Sequence, residues 1–261
     1  MGAIILTQSG FASNPGANYT AITPTEGDAT QIRQAGNSSS PLLIAFERSG
    51  ATSGAARIRS SEMHDNVKGY HIISNDNPTF NALPAGLIQP MKPQDTPIIE
   101  VTGGTAEYDG VMWTTYYDGA TSGSASLSSW SDIASRVKDI VTVQNVLTTA
   151  SAVGNYASAP INTTYALLRA NDSYAILGYM VDTPVTCVGI KGADTSNYLI
   201  GAPGSTDTNQ TANYFVNLSN KINKPCIPVI NSSNASNTFA TCSDVATSVT
   251  FNYTLVMALL G

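Results

Sequence analysis

Charge is the scarcest property of this chain. Only 11% of its 261 residues are Asp, Glu, Lys or Arg, whereas an ordinary soluble domain carries about 25%. The formal net charge is −6 at pH 7, so the sequence lacks the basic stripe with which proteins neutralise nucleic-acid phosphates. Because 42% of the residues are hydrophobic, the chain also falls outside the disordered class, which is poor in apolar residues.

Histidine and cysteine are almost as rare. The two histidines, His64 and His71, fall on opposite faces if they share a strand, so we do not expect them to bind one metal ion. The cysteines, Cys187, Cys226 and Cys242, have no CxxC spacing, which excludes the common zinc and thioredoxin-type motifs. We expect all three to be buried apolar side chains.

Candidate catalytic residues are correspondingly few. His64 and Asp65 could supply part of a nucleophilic triad, but the sequence has no GxSxG elbow, and we expect His64 to be bonded within a turn. Glu100, Glu107 and Asp109 are close together in sequence, and we interpret them as solvated acids at a sheet edge, where charge discourages aggregation. The sequence therefore predicts no enzyme and no catalytic residue.

Binding motifs for ions or phosphates are equally weak. Asp194 and Asp207 are isolated acids in loops rich in Asn and Thr, too few to predict a calcium site. The glycines at 201 and 204 are not followed by the Lys-Ser/Thr pair of a phosphate-binding loop. We expect no metal and no cofactor.

The start of the chain has no targeting pattern. Its apolar stretch runs only from Ala3 to Leu6, without a preceding basic residue, whereas a signal peptide has about 7–15 apolar residues after a basic start. No run approaches the roughly 18 apolar residues of a membrane span. We expect a protein made in a cytoplasm, with no signal peptide and no transmembrane segment.

Short runs of β-branched and aromatic residues, separated by turn residues, recur along the chain. About a dozen such strands at spacings near ten residues predict an all-β sandwich or barrel. The runs at 97–102 and 111–117 are interpreted as a hairpin. The predicted strands are 42–46, 56–60, 67–73, 97–102, 111–117, 141–147, 174–181, 185–191, 198–200, 213–218, 226–230 and 249–257.

One segment near the middle of the chain has helical spacing. Its apolar residues recur at i, i+3 and i+4, with Ser128 or Ser129 as the N-cap and Asp132 in the first turn. This pattern predicts a helix at 127–140 that links two β-rich halves. The predicted organisation is an extended N-terminal arm or edge strands at 1–40, a first β-rich half at 41–126, the helix, and a second β-rich half at 141–261.

The two halves of the chain share a weak pattern. Ile58 is followed by a turn, Gly69, a proline-rich loop and closing strands, and Ile190 is followed by a turn, Gly201, a proline-containing loop and closing strands. An internal duplication accounts for this order. A single continuous sheet system, with little sequence identity between the halves, is the alternative.

A chain that is poor in charge and rich in Ser, Thr and Asn is typical of a subunit covered by other subunits, because interface cores are depleted of charge. We therefore predict an assembly protein. A carbohydrate-binding β-sandwich, with Trp113, Tyr116 and Tyr117 stacking on sugars, is the alternative function. The alternation of their strand favours instead that one face of these aromatic side chains is core and that the other packs against a neighbour. A hydrolase that depends on His64 or Glu100 is a third hypothesis.

Three segments carry a resemblance to a known family: ARIRSSEMHDNVKG (56–69), NDSYAILGY (171–179) and GADTSNYLIGAPG (192–204). With the two β-rich halves, they resemble the double jelly-roll major capsid proteins of tailless icosahedral viruses and phages, in the lineage of the adenovirus hexon. The resemblance implies that the halves at 41–126 and 141–261 are two antiparallel jelly rolls in tandem. It further implies a virion coat subunit that forms homotrimers of pseudo-hexagonal outline and contacts neighbouring capsomers. It also implies minor capsid proteins and an internal lipid membrane as partners, with no sequence-specific nucleic acid. A single jelly roll with long insertions remains the alternative fold.

Overall fold

The computed structural model describes residues 2–13, 15–26, 41–50, 54–60, 63, 67, 69–74, 88–91, 97–103, 108–120, 125–150, 155–161, 168–242 and 248–261. The strands of the first half are β1 (Gly2–Ser13), β2 (Thr20–Ala21), β3 (Thr23–Glu26), β4 (Leu42–Gly50), β5 (Gly54–Arg59), β6 (Tyr70–Ser74), β7 (Gln89–Pro90), β8 (Ile98–Gly103) and β9 (Tyr108–Ala120).

The strands of the second half are β10 (Leu127–Ser128), β11 (Val137–Thr148), β12 (Ala157–Pro160), β13 (Ser173–Val181), β14 (Val185–Lys191), β15 (Ile200–Gly204), β16 (Ile227–Asn231), β17 (Thr238–Cys242) and β18 (Thr250–Leu260). Short α-helices span Trp130–Ile133, Thr208–Thr211 and Tyr214–Ile222, and 3-10 turns span Ala134–Arg136 and Ala193–Thr195.

These strands form four antiparallel sheets. In the first half, sheet A has the order β3-β1-β9-β4-β7 and sheet B the order β2-β8-β5-β6. In the second half, sheet C has the order β10-β16-β13-β18-β11 and sheet D the order β12-β17-β14-β15. If β3 and β10 are set aside and the strands of each half are renumbered 1 to 8, both halves have one sheet of order 1-8-3-6 and one of order 2-7-4-5.

This shared strand order is that of a jelly roll, an eight-stranded sandwich of two antiparallel sheets. The protein is therefore all-β, as the strand spacing predicted, with two jelly rolls in tandem, as the resemblance implied. The first jelly roll is formed by β1 to β9 and the second by β10 to β18. The similar patterns in the two halves of the sequence fall on equivalent strands. Ile58 lies in β5 and Ile190 in β14, and each of these is the fourth strand of its half in the renumbered order.

The hairpin predicted at 97–117 is wrong. Strand β8 pairs with β2 and β5 in sheet B, whereas β9 pairs with β1 and β4 in sheet A. The chain crosses from one sheet to the other between these strands, so that Ile99 of β8 and Trp113 of β9 pack in the same apolar core between the sheets. Local sequence alternation indicates each strand but not its partner.

The N-terminal arm predicted at 1–40 is wrong for its first strand. Strand β1 lies between β3 and β9 in sheet A, and Ile4, Ile5 and Leu6 are all buried. Consecutive residues of a strand point to opposite faces, so this burial means that both faces of β1 are covered. Residues 27–40 of the predicted arm lie outside the described residues.

The helix predicted at 127–140 is much shorter. Its helical turn spans only Trp130–Ile133, and the chain becomes strand β11 at Val137. Ser129 is the N-cap and its hydroxyl oxygen accepts a hydrogen bond from the backbone N–H of Asp132, which confirms the predicted start. The helix ends early because residues 137–148 pair along β18.

The longest described helix replaces a predicted strand. Residues 213–218 were predicted to be a strand from their apolar content, but Tyr214–Ile222 is helical. Its buried residues are Phe215, Leu218, Ser219 and Ile222, which follow the i, i+3, i+4, i+7 spacing of an amphipathic helix. This spacing was the signal in the sequence that could have identified the helix.

Candidate assembly interfaces

The two jelly rolls meet through one sheet from each. The face of sheet A that points away from sheet B packs against the face of sheet D that points away from sheet C. Across this contact the backbone N–H of Thr7 donates to the carbonyl oxygen of Leu199 at 2.8 Å, and the hydroxyls of Ser9 and Tyr156 are 2.7 Å apart. Apolar side chains from both sheets complete the contact, namely those of Met112, Cys187, Leu199 and Ala240.

The contact between the jelly rolls is close enough to require a glycine. A Cβ atom on Gly201 of β15 would lie 2.8 Å from Cγ2 of Thr7 and 3.0 Å from Sγ of Cys187. Sheet A also contributes Ile5, Ile44 and Tyr116 to the apolar cluster that forms the core of the second jelly roll. The jelly rolls therefore share a packed interior rather than a loose linker.

Glu47 and Arg48 are adjacent in β4, and their side chains point to opposite sides of sheet A. The side chain of Arg48 points towards sheet B, since its Nη2 atom lies 2.6 Å from the position that a Cβ on Gly54 would take. Glu47 is paired across the ladder with Met112, which packs against sheet D. Glu47 is 1% exposed and Arg48 is 0% exposed, so each is buried in a different interior.

The Glu47 carboxyl lacks the partners that a buried charge needs. Its Oε2 atom has no hydrogen-bond partner among the described residues, and burial raises its pKa from 4.5 to about 8. The phenols of Tyr179 and Tyr214 are close to it: their pKa values are raised first by burial and further by the charge of Glu47. At neutral pH the carboxyl is therefore protonated in the folded protein.

The opposite face of the first jelly roll, on sheet B, has a cluster of charged side chains. Glu100 of β8 accepts hydrogen bonds from Arg57 and from Arg59 of β5, the latter at 3.1 Å, and the Tyr19 ring lies 4.0 Å from the guanidinium of Arg57. Burial alone would raise the pKa of Glu100, but the two arginines outweigh it and lower the pKa. Ile98 is 46% exposed beside this cluster.

The outward face of the second jelly roll, on sheet C, mixes apolar and uncharged polar side chains along β11, and the exposed charged residues Lys138 and Asp139 lie near the start of this strand. Ile140 and Val146 are each 51% exposed, while Val143 and Leu147 are buried in the core. On the neighbouring strand β18, Asn252 donates two hydrogen bonds to Asp182, from its backbone N–H at 2.9 Å and from its side-chain amide at 2.6 Å. We call this surface the β11–β18 face, and the surface around Ile98 and Glu100 the β5–β8 face.

The predicted acids at a sheet edge are only partly described. Glu107 lies outside the described residues, and Asp109 is in β9. The interpretation of Glu100 as a solvated edge residue is wrong, because β8 is an inner strand of sheet B and the residue is only 9% exposed. Its charge is held there by the two arginines rather than by water.

The two acids considered for an ion site, Asp194 and Asp207, make hydrogen bonds that have structural roles. Asp207 caps the helix Thr208–Thr211 by accepting a hydrogen bond from the N–H of Asn209. Asp194 accepts hydrogen bonds from the backbone N–H of Asn231 and from the side-chain amides of Asn234 and Asn237. Both acids thus organise loops. No group of three or more metal-ligating side chains occurs within the described ranges.

The histidines and cysteines can be placed in part. His64 lies outside the described residues, and His71 is in β6, where it pairs with Arg57 in the ladder. Cys187 and Cys226 are buried, as predicted, and Cys242 is in β17. No described helix is both long and apolar enough to span a membrane.

The aromatic residues that were candidates for sugar stacking are in the interior. Trp113, Tyr116 and Tyr117 are at most 1% exposed, and the Nε1–H group of Trp113 donates to Oε1 of Gln8 at 3.1 Å. A sugar ring cannot reach them without unfolding of the sheets. The carbohydrate hypothesis is therefore wrong for these three side chains.

No protein-family model matches the chain, and no curated protein matches it. Among solved structures, the PBSX exported protein XepA is 11% identical, with 97% of this chain and 86% of that chain covered and a TM-score of 0.28. The major capsid protein P2 of bacteriophage PM2 is 7% identical, with 99% and 98% covered and a TM-score of 0.24. The STIV MCP is 10% identical, with 100% and 88% covered and a TM-score of 0.24. The fold assignment rests on the strand order of the chain itself.

Proposed function

We propose that this protein is a structural subunit of an icosahedral virion shell, and that copies of it join into trimeric capsomers of pseudo-hexagonal outline. The observation that carries the proposal is the order of the four sheets. Sheet B and sheet A form the first jelly roll, sheet A packs on sheet D, and sheet D and sheet C form the second. This row of sheets ends in two outward faces. The β5–β8 face of sheet B lies at one end, and the β11–β18 face of sheet C lies at the other.

The contact inside the chain is a template for the contact between chains. Sheet A has the strand order 1-8-3-6 and sheet D the order 2-7-4-5. Sheet C also has the first order and sheet B the second, so packing sheet C of one copy on sheet B of the next repeats the same kind of contact. Such head-to-tail contacts generate a ring when the rotation closes. Three copies with two jelly rolls each supply six similar units, which accounts for a hexagonal outline.

The two end faces both present exposed apolar side chains with charged groups beside them. The β11–β18 face presents Ile140 and Val146 with Lys138 and Asp182, and the β5–β8 face presents Ile98 with the ion-paired cluster of Arg57, Arg59 and Glu100. Apolar side chains exposed by half of their area are suited to burial in an interface core, and opposite charges at its rim favour the correct partner. The low total charge of the chain fits a surface that is largely covered in an assembly.

The proposal assigns no enzymatic activity and no cofactor to the protein. It locates the chain in the virion of a virus or phage, after synthesis in the host cytoplasm. Neighbouring capsomers are its expected partners, together with the minor capsid proteins and the internal membrane that the resemblance implies. Sequence-specific binding of nucleic acid is not expected, because the chain has a net negative charge.

The experiment compares two Val-to-Arg variants by sedimentation velocity. Val146→Arg places a charge in the centre of the β11–β18 face, and we expect it to convert trimers into folded monomers. Val67→Arg is the matched control, because Val67 is 69% exposed and lies between β5 and β6 rather than on a sheet face. We expect it to remain trimeric. A native chain that is monomeric at every concentration tested would contradict the proposed function. A native trimer that Val146→Arg leaves intact would contradict only the choice of face.

A further inference from the structure

The contact between sheets A and D contains a carboxyl group that the proposed function does not use. Glu47 points from β4 into this contact and is 1% exposed. The titratable groups that face it from the second jelly roll are Tyr179 of β13 and Tyr214 of the longest helix, whose pKa values are raised by burial and by the charge of Glu47, together with the buried thiol of Cys187 in β14. Both phenols are neutral at neutral pH, so they offer the carboxyl no charged partner.

Among the residues that the structure describes, no compensating cation faces Glu47 on its side of the sheet. Arg48 points to the opposite side, towards sheet B. Lys224, which also lies near this contact, is paired with Asp118 at 3.1 Å and is close to the ring of Tyr116. Burial is the cause of the raised pKa of Glu47, and no charged partner contributes to it. An ionised carboxylate at this position would therefore be both desolvated and unpaired, which proteins avoid at considerable free-energy cost.

We propose that Glu47 is a pH-sensitive latch between the two jelly rolls, which holds sheets A and D together while its carboxyl is protonated and lets them separate more often once it ionises. Opening exposes Glu47 to water, where an ionised carboxylate is solvated at no penalty. The latch is a property of the single chain and does not depend on the assembly of copies.

The direction of the pH dependence, and the pH range in which it acts, follow from the environment of the Glu47 carboxyl in the closed form and in the open form. In the closed form the pKa is about 8, and in the open form it is near the ordinary value of 4.5. Below pH 4.5 both forms are protonated and this group contributes no pH dependence. Between these values only the open form releases the proton, so the equilibrium constant for opening rises by up to about tenfold per pH unit. Above the higher value both forms are ionised and the constant is flat.

The test is hydrogen exchange of the native full-length chain between pH 6 and pH 9.5, corrected for the intrinsic rate at each pH. The reporters are the amides of Thr7 and Gly201, which donate across the contact to the Leu199 carbonyl and the Thr7 hydroxyl. We expect their opening constant to rise roughly 50-fold from pH 6 to pH 8 and to level off at roughly 100-fold by pH 9.5. A constant that does not change with pH would overturn the proposal.

Two variants separate Glu47 from other titrating groups. Glu47→Gln keeps the shape of the side chain but cannot ionise, so the pH dependence at both reporters should disappear. Glu47→Met serves the same purpose if the glutamine variant does not fold. Glu100→Gln is the matched control on the far face of the first jelly roll, and it should retain the native slope. A slope that persists in Glu47→Gln, or that appears equally in the amides of β11 and β18, would overturn the latch, because it would report another group or global unfolding.

Discussion

The hydroxyl oxygen of Thr7 in β1 accepts a 2.8 Å hydrogen bond from the backbone N–H of Gly201 in β15. The same hydroxyl is 2.9 Å from that of Thr114 in β9. One side chain thus joins two strands of sheet A to an edge strand of sheet D, although Thr7 and Gly201 are 194 positions apart. The first strand of the chain therefore belongs to its first jelly roll and also fastens the second.

Replacing Thr7 tests this connection. Thr7→Val preserves the volume of the side chain but leaves the buried N–H of Gly201 without its acceptor. We expect a loss of about 1–3 kcal/mol in the free energy of unfolding, because an unsatisfied buried donor costs its desolvation. Thr7→Ser keeps the hydroxyl and should lose less. Chemical denaturation followed by circular dichroism measures both, and equal stability of the valine variant and the native chain would contradict the role of the hydrogen bond.

Substitution of Gly201 tests how closely sheets A and D approach each other. A methyl group there would lie 2.8 Å from Cγ2 of Thr7, so we expect Gly201→Ala to destabilise the protein by about 1–3 kcal/mol through overpacking. Serine at position 7 lacks that Cγ2 atom. The alanine substitution should therefore cost less in a Thr7→Ser background, and a double-mutant cycle measures the difference. Strict additivity of the two substitutions would show that these atoms do not limit the approach.

Removal of residues 1–40 tests the position of β1. Because β1 forms the ladder with β9 over most of its length, we expect the first jelly roll to lose its packed core rather than a peripheral arm. Trp113 lies in that core, and Trp130 lies in the second half. Fluorescence of the truncated chain in a Trp130→Phe background reports on Trp113 alone. An emission maximum like that of the full-length Trp130→Phe chain would restore the arm hypothesis.

The two arginines that are paired with Glu100 predict that acid lowers the stability of the folded protein. Their charges hold the pKa of Glu100 below 4.5 despite its partial burial. The stability from these ion pairs is therefore present above the unfolded-state pKa near 4.5 and is lost as pH falls through the lower folded-state value. Glu100→Gln should lower stability at pH 7 by roughly 1 kcal/mol or less, because water screens pairs on a sheet face. The difference from the native chain should vanish at pH 2. Denaturation midpoints at the two pH values provide the measurement, and a constant difference would contradict this account.

Local sequence patterns predicted individual elements well and their partners poorly. The alternation at 249–257 identified β18, and Ser129 marked the start of the short central helix. The pairing of β8 and β9 with strands of different sheets depends on residues far away in the chain, so alternation within 97–117 could not reveal it. The helix Tyr214–Ile222 was missed although its own spacing encodes it.

The composition predicted that the protein has a covered surface, but it did not predict which residues form the candidate interfaces. Low charge and abundant small polar residues indicated a covered surface, but no local signal distinguished the buried Glu47 from an ordinary surface acid. Its position follows from the pairing of β4 with β9 and from the packing of sheet A on sheet D. By contrast, the alternation of β9 already favoured packing of Trp113, Tyr116 and Tyr117 within the protein, and their exposure of at most 1% confirms it.

The central claim is that this chain assembles with copies of itself, and its solution mass tests that claim most directly. Light scattering on the purified native protein at micromolar concentration should give a trimer near three times the 27.3 kDa mass of the chain, or a shell of megadalton mass. A folded protein that remains at 27.3 kDa over the whole concentration range would contradict the account.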